Sequence, residues 1–199
     1  MTGTKAAPRL LFLGVNALFS TRHLAALAEA WPISVVVETV GALGLFKRLE
    51  RRLRPSLLAR AARAIGAHHH EILYRDEAAL LAVMRAQAPD LVIVAGLGRL
   101  LRPEEIALPP LGILNVHPTL LPAYRGPSPS FWQLWDGVRE SGVSIHLVAS
   151  GMDTGPVVAQ ARFALPVGAT LAELLLRQFE HGPGALGGVL GDHQRPHVR

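Results

Sequence analysis

The chain has 199 residues, half of them hydrophobic, and a formal net charge of +5 from 20 Lys+Arg and 15 Asp+Glu. A chain of this length fits a single domain and can bury about 70% of its unfolded surface without disulfides or structural metals. It contains no cysteine, which excludes disulfides, thiolate metal sites and a cysteine nucleophile. Its apolar runs are too short to span a bilayer and its N-terminus lacks the pattern of a signal peptide, so we expect a cytoplasmic protein with no membrane partner.

The predicted elements alternate between strand and helix over the first two thirds of the chain. Apolar or β-branched runs predict strands over 9–15, 33–40, 71–74, 90–96 and 112–117, and helical spacing predicts helices over 21–30, 57–65 and 76–86. Two extended runs, 143–149 and 157–165, then follow each other with no helix between them. A helix over 170–180, closed by Gly182 and Pro183, precedes a polar tail.

This order of elements predicts the fold class. Near-continuously apolar strands that alternate with helices are typical of α/β domains with a mostly parallel sheet. The two adjacent extended runs predict an antiparallel addition at the C-terminal side. We therefore predict one domain over 1–199, with an open, Rossmann-like, mostly parallel sheet, helices on both faces and an antiparallel C-terminal extension.

The positive charge is concentrated between Lys47 and Arg63. This segment holds seven cations and one anion, Glu50, so it carries +6 and the remainder of the chain −1. It contains no aromatic residue, and the stacking surfaces typical of single-stranded nucleic-acid binding are therefore missing from it. We interpret the segment as a solvated helical face or a contact for a phosphate or carboxylate, and we do not expect a nucleic-acid partner.

Two further clusters are interpreted as structural. The consecutive histidines 68–70 have no evident carboxylate partner except Glu71 and are expected to lie on the surface. Phe131, Trp132 and Trp135 have helical spacing and are expected to form core or a wall above a site.

The chemically informative stretch begins at Gly112 and reads GILNVHPTLLPAYRGPSPSFW. Asn115 and His117 are two residues apart on a predicted strand, so both side chains point to one face near its carboxyl end. That end of an open α/β sheet is where ligands usually bind. A stiff, proline-rich loop follows, and Asp153 lies further on in the turn SGMDTGP. Each residue alone is equally consistent with a structural role.

The stretch NVHPTLLPAYRGPSP, followed by GVSIHLVASGMDTGPVVAQ, closely resembles the formyltransferase family. That family includes enzymes acting on glycinamide ribonucleotide, methionyl-tRNA and sugar amines, and formyltetrahydrofolate deformylase. Its pattern of Asn-x-His, Leu-Leu-Pro and a downstream Asp-x-Gly is present here in order. The preceding VIVAGLGRLLRP resembles the family's folate-binding strand and loop, so the close match covers residues 89–162.

The resemblance implies a 10-formyltetrahydrofolate-dependent N-formyltransferase with Asn115, His117 and Asp153 as catalytic residues and no metal. An amide such as Asn115 can donate to the oxyanion that develops as an amine attacks the formyl carbon. His117 can donate to that oxygen or carry the proton. Asp153 can orient the imidazole, stabilise its cation or move the amine's proton through water, and the sequence leaves these three roles open.

The resemblance also implies a division of the chain and a donor pocket. Residues 1–88 would form the acceptor-side half, 89–181 the folate and catalytic half, and 182–199 a tail. The donor pocket would be formed by Leu97, Arg99, Leu100 and Leu101 on one side and by Val148, Ala149, Ser150, Gly151 and Met152 on the other. For the leucines, core packing is the alternative. The Leu121–Pro122 bond is a candidate for the cis form, which is common at this position in the family.

Candidate acceptor-binding residues are fewer. Members that act on glycinamide ribonucleotide carry a Gly-Asn-Gly-Ser loop after the first strand, whereas this chain reads GVNALFSTRH there. Ser20, Thr21 and Arg22 can hold an anion at a helix N-terminus, with an ordinary helix cap as the alternative. Arg125 can contact an anion on the acceptor or the donor, with a structural ion pair as the alternative.

These observations favour a minimal catalytic domain that formylates the amine of a small, anionic acceptor. One alternative is a hydrolase in which water replaces the amine at the same site. Another is a folate-binding module without turnover.

Overall fold

The computed structural model describes residues 8–41, 50 and 53–194. Its seven described strands are β1 (Leu10–Gly14), β2 (Ile33–Val40), β3 (His68–Leu73), β4 (Leu91–Ala95), β5 (Ile113–His117), β6 (Glu140–Leu147) and β7 (Val157–Ala164). The described helices are α1 (Leu18–Ala28), α2 (Leu57–Ala64), α3 (Glu77–Gln87), α4 (Pro103–Ile106), α5 (Pro129–Trp135) and α6 (Leu171–Gln194). Within these ranges no helix is long and apolar enough to cross a membrane.

All seven strands form one sheet in the order β3-β2-β1-β4-β5-β6-β7. The first five strands of that order are parallel, and β6 and β7 are antiparallel. Because β1 and β4 are neighbours at the centre, their carboxyl ends border the crevice where the order of the strands changes direction. The predicted fold class, including the antiparallel extension, is confirmed.

The central strands are buried on both faces, which explains why their sequences are almost wholly apolar. Leu10 and Phe12 of β1 pack in one core cluster with residues of α1, α2 and the end of α6. Leu11 and Leu13 point to the other face and pack with Leu80 and Met84 of α3 and its neighbours. Helices therefore cover both faces, and the carboxyl-terminal edge of the sheet is left for polar side chains.

The predicted end of the last helix at Gly182 and Pro183 is wrong. The helix α6 continues to Gln194 with Pro183 inside it. Leu186 and Leu190, beyond the proline, are fully buried in the core cluster on the α1 side. Gly182 lies so close to His23 that a Cβ atom there would overlap the His23 ring. Tertiary packing therefore outweighs the unfavourable helix propensity of glycine and proline at this point.

The basic segment is only partly described. Lys47, Arg48, Arg51 and Arg52 lie outside the described residues. In α2, Leu58 and Ala62 are buried whereas Arg60 and Arg63 are exposed, as expected of a solvated helical face.

The third strand begins earlier than predicted, and its histidines are not simply a surface run. His68, His69 and His70 pair in register with Val35–Val37 of β2. His69 Nε2 lies 3.0 Å from Oε2 of Glu38, a carboxylate that is fully buried. Pairing with β2 and with a buried acid therefore leaves His69 half-buried on the edge strand of the sheet.

Candidate active site

Strand β5 places Asn115 and His117 on one face, as predicted. Leu114 and Val116 alternate with them and pack in the core on the other face. The side chain of His117 is almost fully buried and that of Asn115 is partly exposed. The two-residue period of the strand thus directs an amide and an imidazole to the carboxyl edge of the sheet.

The turn between β6 and β7 brings Asp153 to these two residues. Asp153 Oδ1 lies 3.4 Å from Asn115 Nδ2, and Asp153 Oδ2 lies 3.5 Å from His117 Nδ1. Both distances exceed those of a well-formed hydrogen bond, which leaves one Asn115 Nδ2 hydrogen and the His117 Nδ1 atom available to a third molecule. The predicted catalytic residues are therefore adjacent.

Close backbone contacts hold the Asp153 turn against the sheet. The Val148 N–H donates to the Ile113 carbonyl at 2.8 Å, and the Leu147 N–H donates to the Pro156 carbonyl at 2.9 Å. A Cβ atom on Gly155 would overlap the Leu147 carbonyl, so this approach requires glycine. Gly155, at the end of the DTG sequence in this turn, thereby fixes where the Asp153 carboxylate lies.

The proline-rich loop supplies two backbone groups to the site. The Tyr124 carbonyl lies 2.9 Å from His117 Nε2, and the Gly126 N–H donates to Asp153 Oδ2 at 2.9 Å. The loop is itself held by side chains, because Gln133 Nε2 and Gln178 Nε2 both donate to the Pro118 carbonyl. The Leu121–Pro122 bond in this loop is cis, as predicted.

Left-handed backbone conformations are concentrated around the site. Among the described residues, the non-glycine positions with positive φ are Ala88, Tyr124, Ser128 and Asp153. Three of these four belong to the two segments that meet at Asp153, and such conformations are unfavourable for residues with a Cβ atom. Such strained conformations are common at functional sites, where the surrounding structure holds the residues in place.

The electrostatics favour a neutral imidazole beside a carboxylate. Burial lowers the pKa of His117 below its ordinary value, and the Tyr124 carbonyl and the Asp153 charge offset only part of this effect. Burial by itself raises the pKa of Asp153. The nearby imidazoles of His146 and His117 and the hydrogen bond from the Gly126 N–H outweigh burial and leave the Asp153 pKa lowered.

The hydrogen-bond partners assign the tautomer of His117. The Tyr124 carbonyl can only accept, so His117 Nε2 carries the proton of the neutral ring. Its Nδ1 atom is then free to accept a proton, and it faces Asp153 Oδ2. This is the arrangement of a general base with an anion beside the position where positive charge would form.

His146 belongs to the same cluster, and our sequence reasoning missed it. It lies opposite Asn115 in the β5–β6 pair, and its Nε2 atom is 3.0 Å from Asn115 Nδ2. Its Nδ1 atom lies 2.9 Å from the Leu147 carbonyl and donates to it, so Nε2 accepts from the amide. Ser144 and His146 are two residues apart and therefore lie on the same face of β6. This spacing points to the site only once the antiparallel register of β5 and β6 is known.

A cavity of about 370 Å³ opens at these residues. The predicted donor-pocket residues on both sides line it, namely Leu97, Arg99, Leu100, Leu101, Val148, Ala149, Gly151 and Met152, together with Asn115, His117 and Asp153. Ser150 does not line it. The structure therefore brings the two predicted pocket segments and the three predicted catalytic residues to one space, whose size is ordinary for a small-molecule site.

The candidate acceptor residues are not brought to this cavity. Ser20 is fully buried, and its hydroxyl donates to the Ala95 carbonyl at 2.5 Å and accepts from the Val15 N–H. The Ser20 side chain thus ties the end of β1 to β4, and acceptor contact by Ser20 stays a prediction. Thr21 donates to the Ala17 carbonyl, and Arg22 is exposed on α1. Substrate contact by Thr21 or Arg22 stays a prediction.

The loop residue Arg125 is exposed and does not line the cavity, so its role also stays a prediction. The aromatic residues of α5 differ from expectation. Phe131, Trp132 and Trp135 are 51%, 49% and 74% exposed, and the Phe131 ring stacks on Trp135 and meets Trp132 edge to face. The expectation of a core is wrong because Ser130 and Gln133 occupy the inward face of this helix.

Comparison with known proteins agrees with the geometry of the site. The family described as "Formyl transferase" matches residues 9–187. The chain therefore belongs to the formyl transferase family.

Curated relatives of the chain include methionyl-tRNA formyltransferases. Methionyl-tRNA formyltransferase of Chloroflexus aurantiacus is 34% identical over 195 residues, which are 96% of this chain and 60% of that protein. Methionyl-tRNA formyltransferase of Roseiflexus sp. is 42% identical over 121 residues, which are 61% of this chain and 37% of that protein. The chain thus spans less than two thirds of the length of these curated relatives.

Solved structures share the fold. Glycinamide ribonucleotide transformylase 1 from Symbiobacterium toebii superimposes with a TM-score of 0.77 at 26% identity, covering 92% of this chain and 86% of that one. A formyltetrahydrofolate deformylase from Pseudomonas syringae gives a TM-score of 0.74 at 16% identity, covering 96% of this chain and 62% of that one. The second likeness is one of fold alone.

Proposed function

We propose that this protein transfers a formyl group from 10-formyltetrahydrofolate to the amine of a small, anionic acceptor. The observation that carries the proposal is the convergence of Asn115, His117 and Asp153 on one cavity, with neighbouring polar atoms 3.4–3.5 Å apart. Membership of the formyl transferase family supports the class of reaction.

The cavity fits a folate ring system. Its walls are mainly apolar, from Leu97, Leu101, Val148 and Met152, and the two loops that form it offer backbone donors and acceptors. A flat bicyclic ring with polar edges suits such a lining, in which few polar groups fix the orientation of the ligand. The donor would supply a formyl carbon bonded to a nitrogen that can leave.

Each residue then has a step in the transfer. As the acceptor amine attacks the formyl carbon, Asn115 Nδ2 donates its loosely held hydrogen to the carbonyl oxygen, which becomes negative. His117 Nδ1 takes the proton that the amine loses, and Asp153 stabilises the imidazolium. His117 returns the proton to the folate nitrogen as its bond to the formyl carbon breaks. The products are an N-formyl acceptor and tetrahydrofolate.

The test is release of tetrahydrofolate from 10-formyltetrahydrofolate with and without candidate amines. The pool contains amino sugars, amino acids and ribonucleotide amines, and a separate arm contains methionyl-tRNA because the curated relatives are named for it. We expect release that requires an amine from the pool and is lost in Asn115→Ala. Release without any amine would instead support a hydrolase, and release only with methionyl-tRNA would contradict a small acceptor.

A further inference from the structure

The loop between β4 and α4 forms one wall of the cavity. Residues 97–101 all line it. Within the described part of the chain, no backbone-to-backbone hydrogen bond holds residues 97–101. A wall without such bonds needs side chains to fix its shape.

The Glu105 carboxylate holds the loop in place through hydrogen bonds. Its Oε2 atom accepts from Arg99 Nη1 at 2.8 Å and its Oε1 atom accepts from Arg99 Nη2 at 2.5 Å. The same Oε2 atom accepts the Arg102 N–H at 2.8 Å. The carboxylate thus joins the middle and the end of the loop to α4, and bidentate pairing makes the joint geometrically specific.

The pair is buried, so water competes little for it. Glu105 is fully buried, and the side chain of Arg99 is 11% exposed. Arg99 Nη1 also donates to the Leu100 carbonyl at 2.8 Å. Among the described residues these bonds use three of the five guanidinium hydrogens, which leaves the Nε–H and one Nη2 hydrogen for a molecule in the cavity.

We propose that Glu105 is a positioning residue for the formyl donor. It holds the 97–102 loop in the shape of the cavity wall and orients Arg99 toward an oxygen of the bound donor. The inference rests on the proposed function, because it assigns this wall to the donor. Its effect is confined to binding, since Asn115, His117 and Asp153 lie on β5 and the β6–β7 turn and not on this loop.

The chain offers a matched control for this pair. Asp90 also accepts two guanidinium bonds and one backbone N–H, all from Arg9, at 2.8–3.2 Å. That pair is exposed and lies where β1 and β4 begin, at the edge of the sheet opposite the cavity. Asp90→Asn therefore removes the same kind of bonding without touching the wall.

The experiment measures equilibrium binding of tetrahydrofolate and steady-state kinetics for both variants. For Glu105→Gln we expect the Kd of tetrahydrofolate and the KM of the donor to rise about tenfold, with kcat at saturating donor and the KM of the acceptor within about twofold of the parent values. Asp90→Asn should leave all four quantities unchanged. Rescue by Glu105→Asp should be partial, because the shorter side chain keeps the charge but loses reach.

A second variant guards against misfolding. Arg99→Met/Glu105→Gln removes both charges and keeps an amide oxygen that can accept the Arg102 N–H, so neither a buried charge nor that donor is left unpaired. It should fold with a Tm close to that of the parent and still show the raised donor KM. A parent protein that binds tetrahydrofolate, with Glu105→Gln binding it equally well, would overturn the positioning role alone. A parent that does not bind tetrahydrofolate would overturn the proposed donor and the positioning role with it.

Discussion

Two carboxylate–histidine clusters lie toward the carboxyl edge of the same sheet, one in each half of the chain. In the N-terminal half, Glu38 is fully buried and accepts from Ser56 Oγ and from His69 Nε2 at 3.0 Å. In the C-terminal half, Asp153 faces a cavity and its histidine contacts are 3.5 Å long. The same residue types therefore serve two purposes. The contact of buried Glu38 with His69 joins β2 to β3, whereas under the proposed function the longer contacts of Asp153 leave Asn115 as a donor and His117 as a base beside the cavity.

The largest expected effect is that of Asn115→Ala. Removing an oxyanion donor should lower kcat by about 10²–10³, equivalent to about 3 kcal/mol. Because the side chain is partly exposed, Tm and the Kd of tetrahydrofolate should change little. Stopped assays of tetrahydrofolate release measure kcat, and calorimetry measures Tm and the Kd of tetrahydrofolate. An unchanged kcat would show that Asn115 does not stabilise the oxyanion.

Glu38→Gln tests the other cluster. The variant keeps an oxygen that can accept from Ser56 and His69 but removes the charge that strengthens these buried hydrogen bonds, so the free energy of unfolding should fall by about 1–3 kcal/mol. The kcat should stay within about twofold, because the cluster is not part of the reaction. Urea unfolding and the release assay provide the two numbers. A large loss of kcat with full stability would show that both clusters are functional.

His23 shows what burial does to a histidine without a carboxylate. Its ring is fully buried and, among the described residues, Nε2 has no hydrogen-bond partner. Burial lowers its pKa from 6.5 to about 4. Since the unfolded chain takes up the proton first, stability is complete above pH 6.5 and falls as the pH drops toward 4. Calorimetry of both proteins at one ionic strength should show that the Tm falls less between pH 7 and pH 5 in His23→Leu than in the parent.

The smallest effect concerns the titration of His117. Its lowered pKa predicts that kcat/KM declines as the pH falls, with a midpoint below the ordinary value of 6.5. The Asp153 charge raises this pKa, so Asp153→Asn should move the midpoint lower still. Nuclear magnetic resonance titration of the ring measures the shift even in an inactive variant. A midpoint that rises in Asp153→Asn would contradict the proposed contact.

The sequence predicts the fold well because the central strands β1 and β4 are nearly pure apolar runs, whose type does not depend on distant contacts. The two-residue spacing of Asn115 and His117 is likewise a local property of a strand. Asp153 is different, because only the resemblance to a family, and not its spacing, connects it with them.

The failures share a physical cause. His146 reaches the site through an antiparallel register that spans about thirty residues, which the sequence alone does not reveal. The helix α6 passes Pro183 because the residues beyond it bury apolar side chains. Each of these depends on tertiary contacts, which outweigh local propensity.

The most direct test follows an isotope-labelled formyl group from 10-formyltetrahydrofolate into products by mass spectrometry, with parent protein and Asn115→Ala. The proposed function predicts that the label appears as an amide on one small amine of the pool, and that the variant gives about a hundredfold less of it. Label found only in formate, whether or not an amine is present, would contradict formyl transfer and identify a hydrolase.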